Sequence, residues 1–330
     1  MDIQRLEIAR LFHRAGFGPK PGEFAEALRA GVASTRSKIL SPPTTVSFVT
    51  PPVLTDLGPR PAANSPDVVE FSQKLRYENQ LLFLWWLDEM VTSPHTLQEK
   101  MTWFWHGHWA TSIGKVNYAL PMLNQNVTMR KYALGNFTEF AKAMFSDGAL
   151  QVWLDGQENT VKAPNENFSR EMMELFTLGV NRYTETDVKE LARAFTGYQV
   201  SRSSGVVTFN ARRRDSASVT VLGKSGVMSP EEVIDHLVSQ ENSALFVAER
   251  IWYRFVSSQE PLPQNHPMVK AFAGRDISAL MKSLIESTAF SQQQYSMVKS
   301  PVEWFIGLCR ALAITPSQLP SPTKLYNYLE

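Results

Sequence analysis

Cysteine is all but missing from this 330-residue sequence, since Cys309 stands alone. A lone thiol forms no internal disulfide and supplies no thiolate cluster for a metal. With Ile306, Leu308 and Leu312 as neighbours and no histidine close in sequence, Cys309 reads as a small buried hydrophobe, not a nucleophile. Long apolar runs are also lacking. The stretch Leu81 to Leu87 is closed by Asp88 and Glu89, far short of the roughly 20 residues that cross a bilayer. Residues Met1 to Arg5 show no charged-then-apolar leader. A cytoplasmic protein is expected if the chain starts here, a periplasmic or exported one if a leader has been removed.

Charge of one sign is lacking too. Lys plus Arg total 33 against 32 Asp plus Glu, so no global field draws the chain to nucleic acid or an anionic surface, and neither is expected as a partner. The one dense basic run, Arg212 to Arg214, is followed at once by Asp215 and reads as a solvated loop before a phosphate site. There is no phosphate loop, no dinucleotide glycine fingerprint, no Gly-x-Ser-x-Gly elbow and no His-Glu-x-x-His helix. The commonest nucleotide enzymes and hydrolases lose support.

What is present suits a folded, mainly α-helical chain, because 43% of residues are hydrophobic and 20% charged. Periodicity predicts helices over 68–90, 96–109, 118–133, 137–145, 167–178, 187–196, 230–240, 243–256, 277–287 and 302–313, after two shorter ones near the N-terminus. We expect a single domain over 1–330, a multi-helical orthogonal bundle, with a solenoid-like stack as the alternative. Two features interrupt it. Seven prolines between 41 and 66 predict a long surface loop or arm, either mobile or functional, for example one lying over a groove or a partner. The β-branched runs Val206 to Phe209 and Ser218 to Leu222 predict a small inserted hairpin.

Three segments could carry chemistry. In Trp103 to Trp109, His106 and His108 are set among aromatics. At about 100° per residue the two imidazoles diverge, so they share an ion only if the helix unwinds at Gly107. Otherwise His108 is a hydrogen-bonded core residue and His106 contacts a neighbouring helix. In Asn165 to Gly179, Phe168, Met172, Leu175, Phe176 and Leu178 define an apolar arc that includes Glu171. A carboxylate there needs a partner. Arg170 and Glu174 can pair with each other, which leaves Arg193, Arg14 or the histidines for Glu171. Asn165, Glu166 and Asn167 are read as supports. In Tyr183 to Tyr198, Thr184 and Asp187 have capping-box spacing, and ion binding by Asp187 is the lesser reading.

These three segments, together with Leu11 to Pro19, resemble the bacterial domain-of-unknown-function family eighteen-hundred (DUF1800). The likeness continues through Ala133 to Phe137, Trp153 to Asp155, Val221 to Gly223 and Lys299 to Glu303. It implies no established reaction, substrate or cofactor, and only a hint of a protein partner from a sulfatase-like family. This chain has Arg214-Asp215 where relatives tend to have a His-Asp pair, and it stops at Glu330 where they continue into a Pro- and Trp-containing segment.

Two functions remain open at this point. The first is an enzyme, such as a metal-assisted or acid–base hydrolase. Its cleft would be lined by His106, His108, Glu171 and Glu174, with Glu171 as base or ligand to a divalent ion and a histidine as acid or second ligand. The second is a non-catalytic binding or assembly protein that uses the proline arm, its charged motifs serving as internal bracing and Glu171 sealed by an arginine.

Overall fold

The helical periodicity is realised along most of the chain. The computed structural model describes residues 3–41, 49–292, 297–325 and 329. It is 61% helical, with 17 α-helices and two small antiparallel two-stranded sheets among the described residues. Many helix starts follow from one chemical device, a side-chain oxygen that takes the first free backbone N–H groups. Asn136 accepts from the amides of Thr138 and Glu139 and starts the Phe137–Phe145 helix. Ser229 with Glu232, and Ser300 with Glu303, form full capping boxes with a proline at the first helical turn.

At the centre lies the Thr96–His108 helix, buried on nearly every side. Trp105 stacks on Phe137 at 5.7 Å and meets Phe140 edge-on at 5.2 Å, while its indole N–H donates to the Ala133 carbonyl at 2.9 Å. Two charges on the same helix are carried inside with it. Glu99 accepts a two-pronged contact from Arg130, both prongs 2.9 Å, and a third bond from the Trp86 indole. Arg130 also donates to Asn126 and lies over the Trp85 ring. Lys100 pairs with Glu303, the third residue of the Pro301–Leu312 helix.

The two ends of the chain are locked together. After the Ile3–Arg14 helix, the turn through Gly18 sends Phe17 into a small core with Leu87, Met90, Val302 and Ile306. Arg310, fully buried, donates to the carbonyls of Gly18 and Val91, each at 2.7 Å. A side chain at Gly307 would lie 2.9 Å from the Phe17 carbonyl, so only glycine lets the last long helix close on this turn.

Two expectations need correcting, the pairing of the β-branched runs and the list of helices. The runs near 206–209 and 218–222 do not pair with each other. Tyr198–Val200 pairs with Val207–Phe209, and Val219–Val221 pairs with Lys224–Gly226. Leu222 and Gly223, both at positive φ, close the second hairpin in two residues, so each β-branched run takes its nearest neighbour in sequence. Residues 42–48 of the proline-rich segment lie outside the described residues, and the part from 49 on is tied to the helices beside it. Val49 exchanges bonds with Glu89 and Trp85, Thr55 bonds Glu78, and Gly58 accepts from the Tyr118 hydroxyl. Finally, the Val32–Leu40 and Gly148–Trp153 helices were not foreseen. The first is rich in Ser, Thr and Val, poor helix formers that packing against the first two helices overrides.

Arg130→Met should lower stability by on the order of 3–5 kcal/mol, since it strands Glu99 without a counter-charge. The double variant Glu99→Gln with Arg130→Met should recover part of that loss. Urea unfolding of the three proteins checks both statements, and equal stability of wild type and Arg130→Met would show that the pair does not hold the central helix.

Candidate functional site

The Trp103–Trp109 segment stays helical through Gly107, and the two imidazoles consequently diverge. His108 is buried among Phe104, Trp105, Trp109, Phe137 and Phe176, with one ring nitrogen 3.0 Å from the Phe176 carbonyl. Burial, helped by the nearby Arg250 charge, drops it to about 3, so it is neutral and its Nε2–H donates. His106 packs edge-on to Trp86 at 5.0 Å and beside Trp103, lowered to about 4 by burial.

Glu171 lies elsewhere, and not indoors. The Asn167–Glu171 helix continues as a π-helical turn, Met172–Thr177, with Leu178 bonding back to Met173 and the Thr177 hydroxyl to Met172. The wider i→i+5 turn shifts the phase of every following side chain. Met173 and Thr177 turn inward, Leu175 is 49% exposed, and Glu171 is only half-buried. Among the described residues no hydrogen bond or ion pair reaches its carboxylate. Burial and the adjacent Glu174 raise its pKa. The proposed ligand set of His106, His108 and Glu171 is therefore not assembled, and no three His, Cys, Asp or Glu side chains group for a metal among the described residues.

The remaining polar residues of these motifs act as brackets. Arg170 does not pair with Glu174; it forks onto both oxygens of Glu185 at 2.7 Å and reaches Glu166 at 3.4 Å. Glu174 accepts from the Tyr183 hydroxyl, whose pKa is pushed up to about 12 by burial and this carboxylate. Asn165 and Asn167 hold the Asp155 and Leu154 carbonyls. Asp187 completes the capping box with Thr184 and accepts from the Leu222 amide at 2.7 Å, fixing the second hairpin. Arg193 bonds Asp215 and Glu190 and so has no part with Glu171. Arg213 and Arg214 donate to backbone carbonyls of Gln157, Ala194 and Met228, so most of the basic run is structural.

A different set of groups converges. Two adjoining hollows, of about 300 and 140 Å³, open where four elements meet. The Ile3–Arg14 helix supplies Arg10, His13 and Arg14; the central helix supplies Lys100 and His106; the Glu241–Phe255 helix supplies Arg254 near its end; and Lys299 and Glu303 come from the start of the Pro301–Leu312 helix. The Lys299 ammonium donates to His13 Nδ1 at 3.0 Å. Partial burial, then Lys299 and Lys100, hold His13 well below its usual range, so its imidazole is the acceptor. Burial also lowers Lys299 and Lys100. It would raise Glu303, but Lys100 and the Ser300 cap outweigh it and lower that carboxyl. Arg14 donates to the Phe290 carbonyl, and burial with Arg10 beside it brings it down to about 10.

Comparison with known proteins adds a family. The sequence model of a family described as "Protein of unknown function (DUF1800)" matches residues 10–330. The chain belongs to this family. Neither the curated proteins nor the solved structures contain a match. Three segments by which the sequence resembles DUF1800, namely Leu11 to Pro19, Phe104 to Ser112 and Lys299 to Glu303, meet at the cleft, although they lie up to 292 residues apart. A fourth, Asn165 to Gly179, meets the central helix through the His108 bond to Phe176. Sequence reasoning passed over His13, Lys100, Arg254, Lys299 and Glu303 as site residues. The signal that could have found two of them is Lys100 beside Glu99 on a helix rich in buried aromatics, and a capping glutamate set one turn into a proline-started helix.

The neutral state of His108 gives this DUF1800 chain an acid-labile core. Its folded-state pKa is depressed from about 6.5 to about 3. Its contribution to stability is therefore complete above about pH 6.5 and lost progressively as pH falls toward 3. His108→Gln should melt lower than wild type at pH 7, and the gap should narrow between pH 6 and 4. Parallel melting curves at all pH values would contradict this.

Proposed function

We propose that this chain is an enzyme whose acid–base chemistry is carried out in the cleft beneath its first helix. The observation that supports it is the Lys299–His13 contact at 3.0 Å, between two solvent-exposed side chains on the wall of an open hollow lined by four separate elements. Titratable groups shifted by burial and by one another, gathered in a concave space, are a common property of catalytic sites and a rarer one of structural ion pairs. Here the neutral His13 accepts the Lys299 ammonium hydrogen bond, and the lowered Lys299 gives up a proton more readily than an ordinary lysine would. The Lys100–Glu303 pair beneath them keeps the Glu303 charge balanced and fixes the start of the last long helix, which carries Lys299 just ahead of it.

Hydrolysis is the reaction class we assign, with the dyad of His13 and Lys299 activating water or protonating a leaving group. This replaces Glu171 and His108 in those roles, because neither lines the cleft. His106 borders the smaller hollow and can orient what enters it.

A panel of p-nitrophenyl carboxylate and phosphate esters tests the reading. Turnover of at least one should fall about 100-fold or more in His13→Gln and in Lys299→Met, with the melting temperature held near that of wild type. No turnover across the panel, or turnover untouched by both substitutions, would leave a binding protein in place of an enzyme.

A further inference from the structure

The two hollows differ in lining in a way that specifies a ligand. The larger is walled by charge. Arg10, Arg14, Lys100, Arg254 and Lys299 face it, and Glu303 is its single carboxylate. That carboxylate is already committed to Lys100 and to the Ser300 amide. The stretch from Gln292 to Val298, next in sequence, contains no acidic residue that could supply a counter-charge. In a chain whose cations and anions number 33 and 32, a local excess of this size is not a sample of the average surface. Attraction of basic residues to helix C-termini accounts for Arg14 and Arg254 one at a time, since both sit in last turns. It does not account for Lys299 and Lys100, which belong to a helix start and a helix middle.

Arg254 is the most informative of the five. It is exposed, its guanidinium lies 3.8 Å from where a side chain at Gly107 would begin, and among the described residues it makes no hydrogen bond or ion pair. Arg10 and Arg14 each spend an N–H on a carbonyl of Ser291 or Phe290. Arg254 and Lys299 retain donors for something from outside.

The smaller hollow shares Lys100, Arg254, Met297, Val298 and Glu303 with the larger one and adds a ring-bearing wall of Trp103, Phe104, His106 and Phe255. Its volume of about 140 Å³ suits one ring, for an apolar cavity of about 150 Å³ takes up benzene.

We propose that the cleft binds a small amphipathic anion, an oxyanion head group held by Arg254 and Lys299 with an aromatic or short branched apolar group seated against Trp103 and Val298. The inference rests on the cleft assigned above as the reaction site and names the class of molecule that enters it. A carboxylate and a phosphate or phosphonate head share the required chemistry, a planar or tetrahedral set of acceptors for a guanidinium fork and an ammonium.

The test uses phenylphosphonate, benzoate, inorganic phosphate and benzyl alcohol, with binding read by titration calorimetry and by shift in melting temperature. Phenylphosphonate or benzoate should bind at least ten-fold more tightly than inorganic phosphate, which lacks the ring, and than benzyl alcohol, which lacks the charge. Affinity should fall as salt rises. Arg254→Gln should weaken the aromatic anion at least ten-fold while the unliganded protein melts as before, and Trp103→Ala should weaken it without changing the response to inorganic phosphate. Equal binding of benzyl alcohol, unchanged affinity in the double variant Arg254→Gln with Lys299→Gln, or no response to either aromatic anion at millimolar concentration would each overturn the proposal. Anion binding without turnover of any ester would retain this inference and remove the enzyme reading; turnover of neutral esters with no preference for anions would do the reverse.

Discussion

A helix buried on nearly every side has no room for an unpaired charge, and the Thr96–His108 helix carries two charges in succession. Glu99 and Lys100 point to different neighbours, so each must find its own counter-ion in the interior. Glu99 draws in Arg130 and, through the indole of Trp86, the long Val68–Thr92 helix. Lys100 draws in Glu303 and with it the start of the last long helix. The desolvation of such pairs offsets much of their attraction, so their worth lies less in net stability than in excluding other packings in which a charge is stranded. With both pairs made, the Gly16–Gly18 turn, the central helix and the C-terminal helix occupy one arrangement, which Arg310 then secures from the far side.

The cleft is a consequence of that arrangement. Lys100 forms part of its floor because the central helix passes beneath it, and Lys299 stands at its edge because Glu303, four residues on, is held down by Lys100. The first helix ends here with three basic or imidazole groups in its last turns, and the Glu241–Phe255 helix adds Arg254. None of these groups is unusual alone. Burial is what lowers His13 and Lys299 together, and for His13 the neighbouring Lys299 and Lys100 charges lower it further.

The sites that looked most chemical in the sequence turn out to be structural for identifiable reasons. His108 is an interior hydrogen bond, because its own helix does not unwind at Gly107 and instead aims it at the Phe176 carbonyl. The apolar arc drawn around Glu171 breaks up because a π turn begins one residue after it and leaves Leu175 at the surface, and a helical wheel drawn at a constant angle has no means of foreseeing that change of phase. The rarity of such turns makes this one conspicuous. It places Thr177 where its hydroxyl closes the wide turn and Phe176 where its carbonyl meets His108.

Local chemistry settled much from the sequence alone. Helix positions followed from apolar period and from capping residues such as Thr184 with Asp187, family membership from ordered motifs, and the inert core role of Cys309 from its neighbours. These are short-range properties, decided by residues within a turn or two of one another. The partners of the β-branched runs, the phase of Glu171 and above all the meeting of residues 10, 13, 100, 254, 299 and 303 were decided only by tertiary packing. Attraction and repulsion between charges depend on distance in space, and distance along the chain says nothing about it once the two ends of the molecule are folded onto the same central helix.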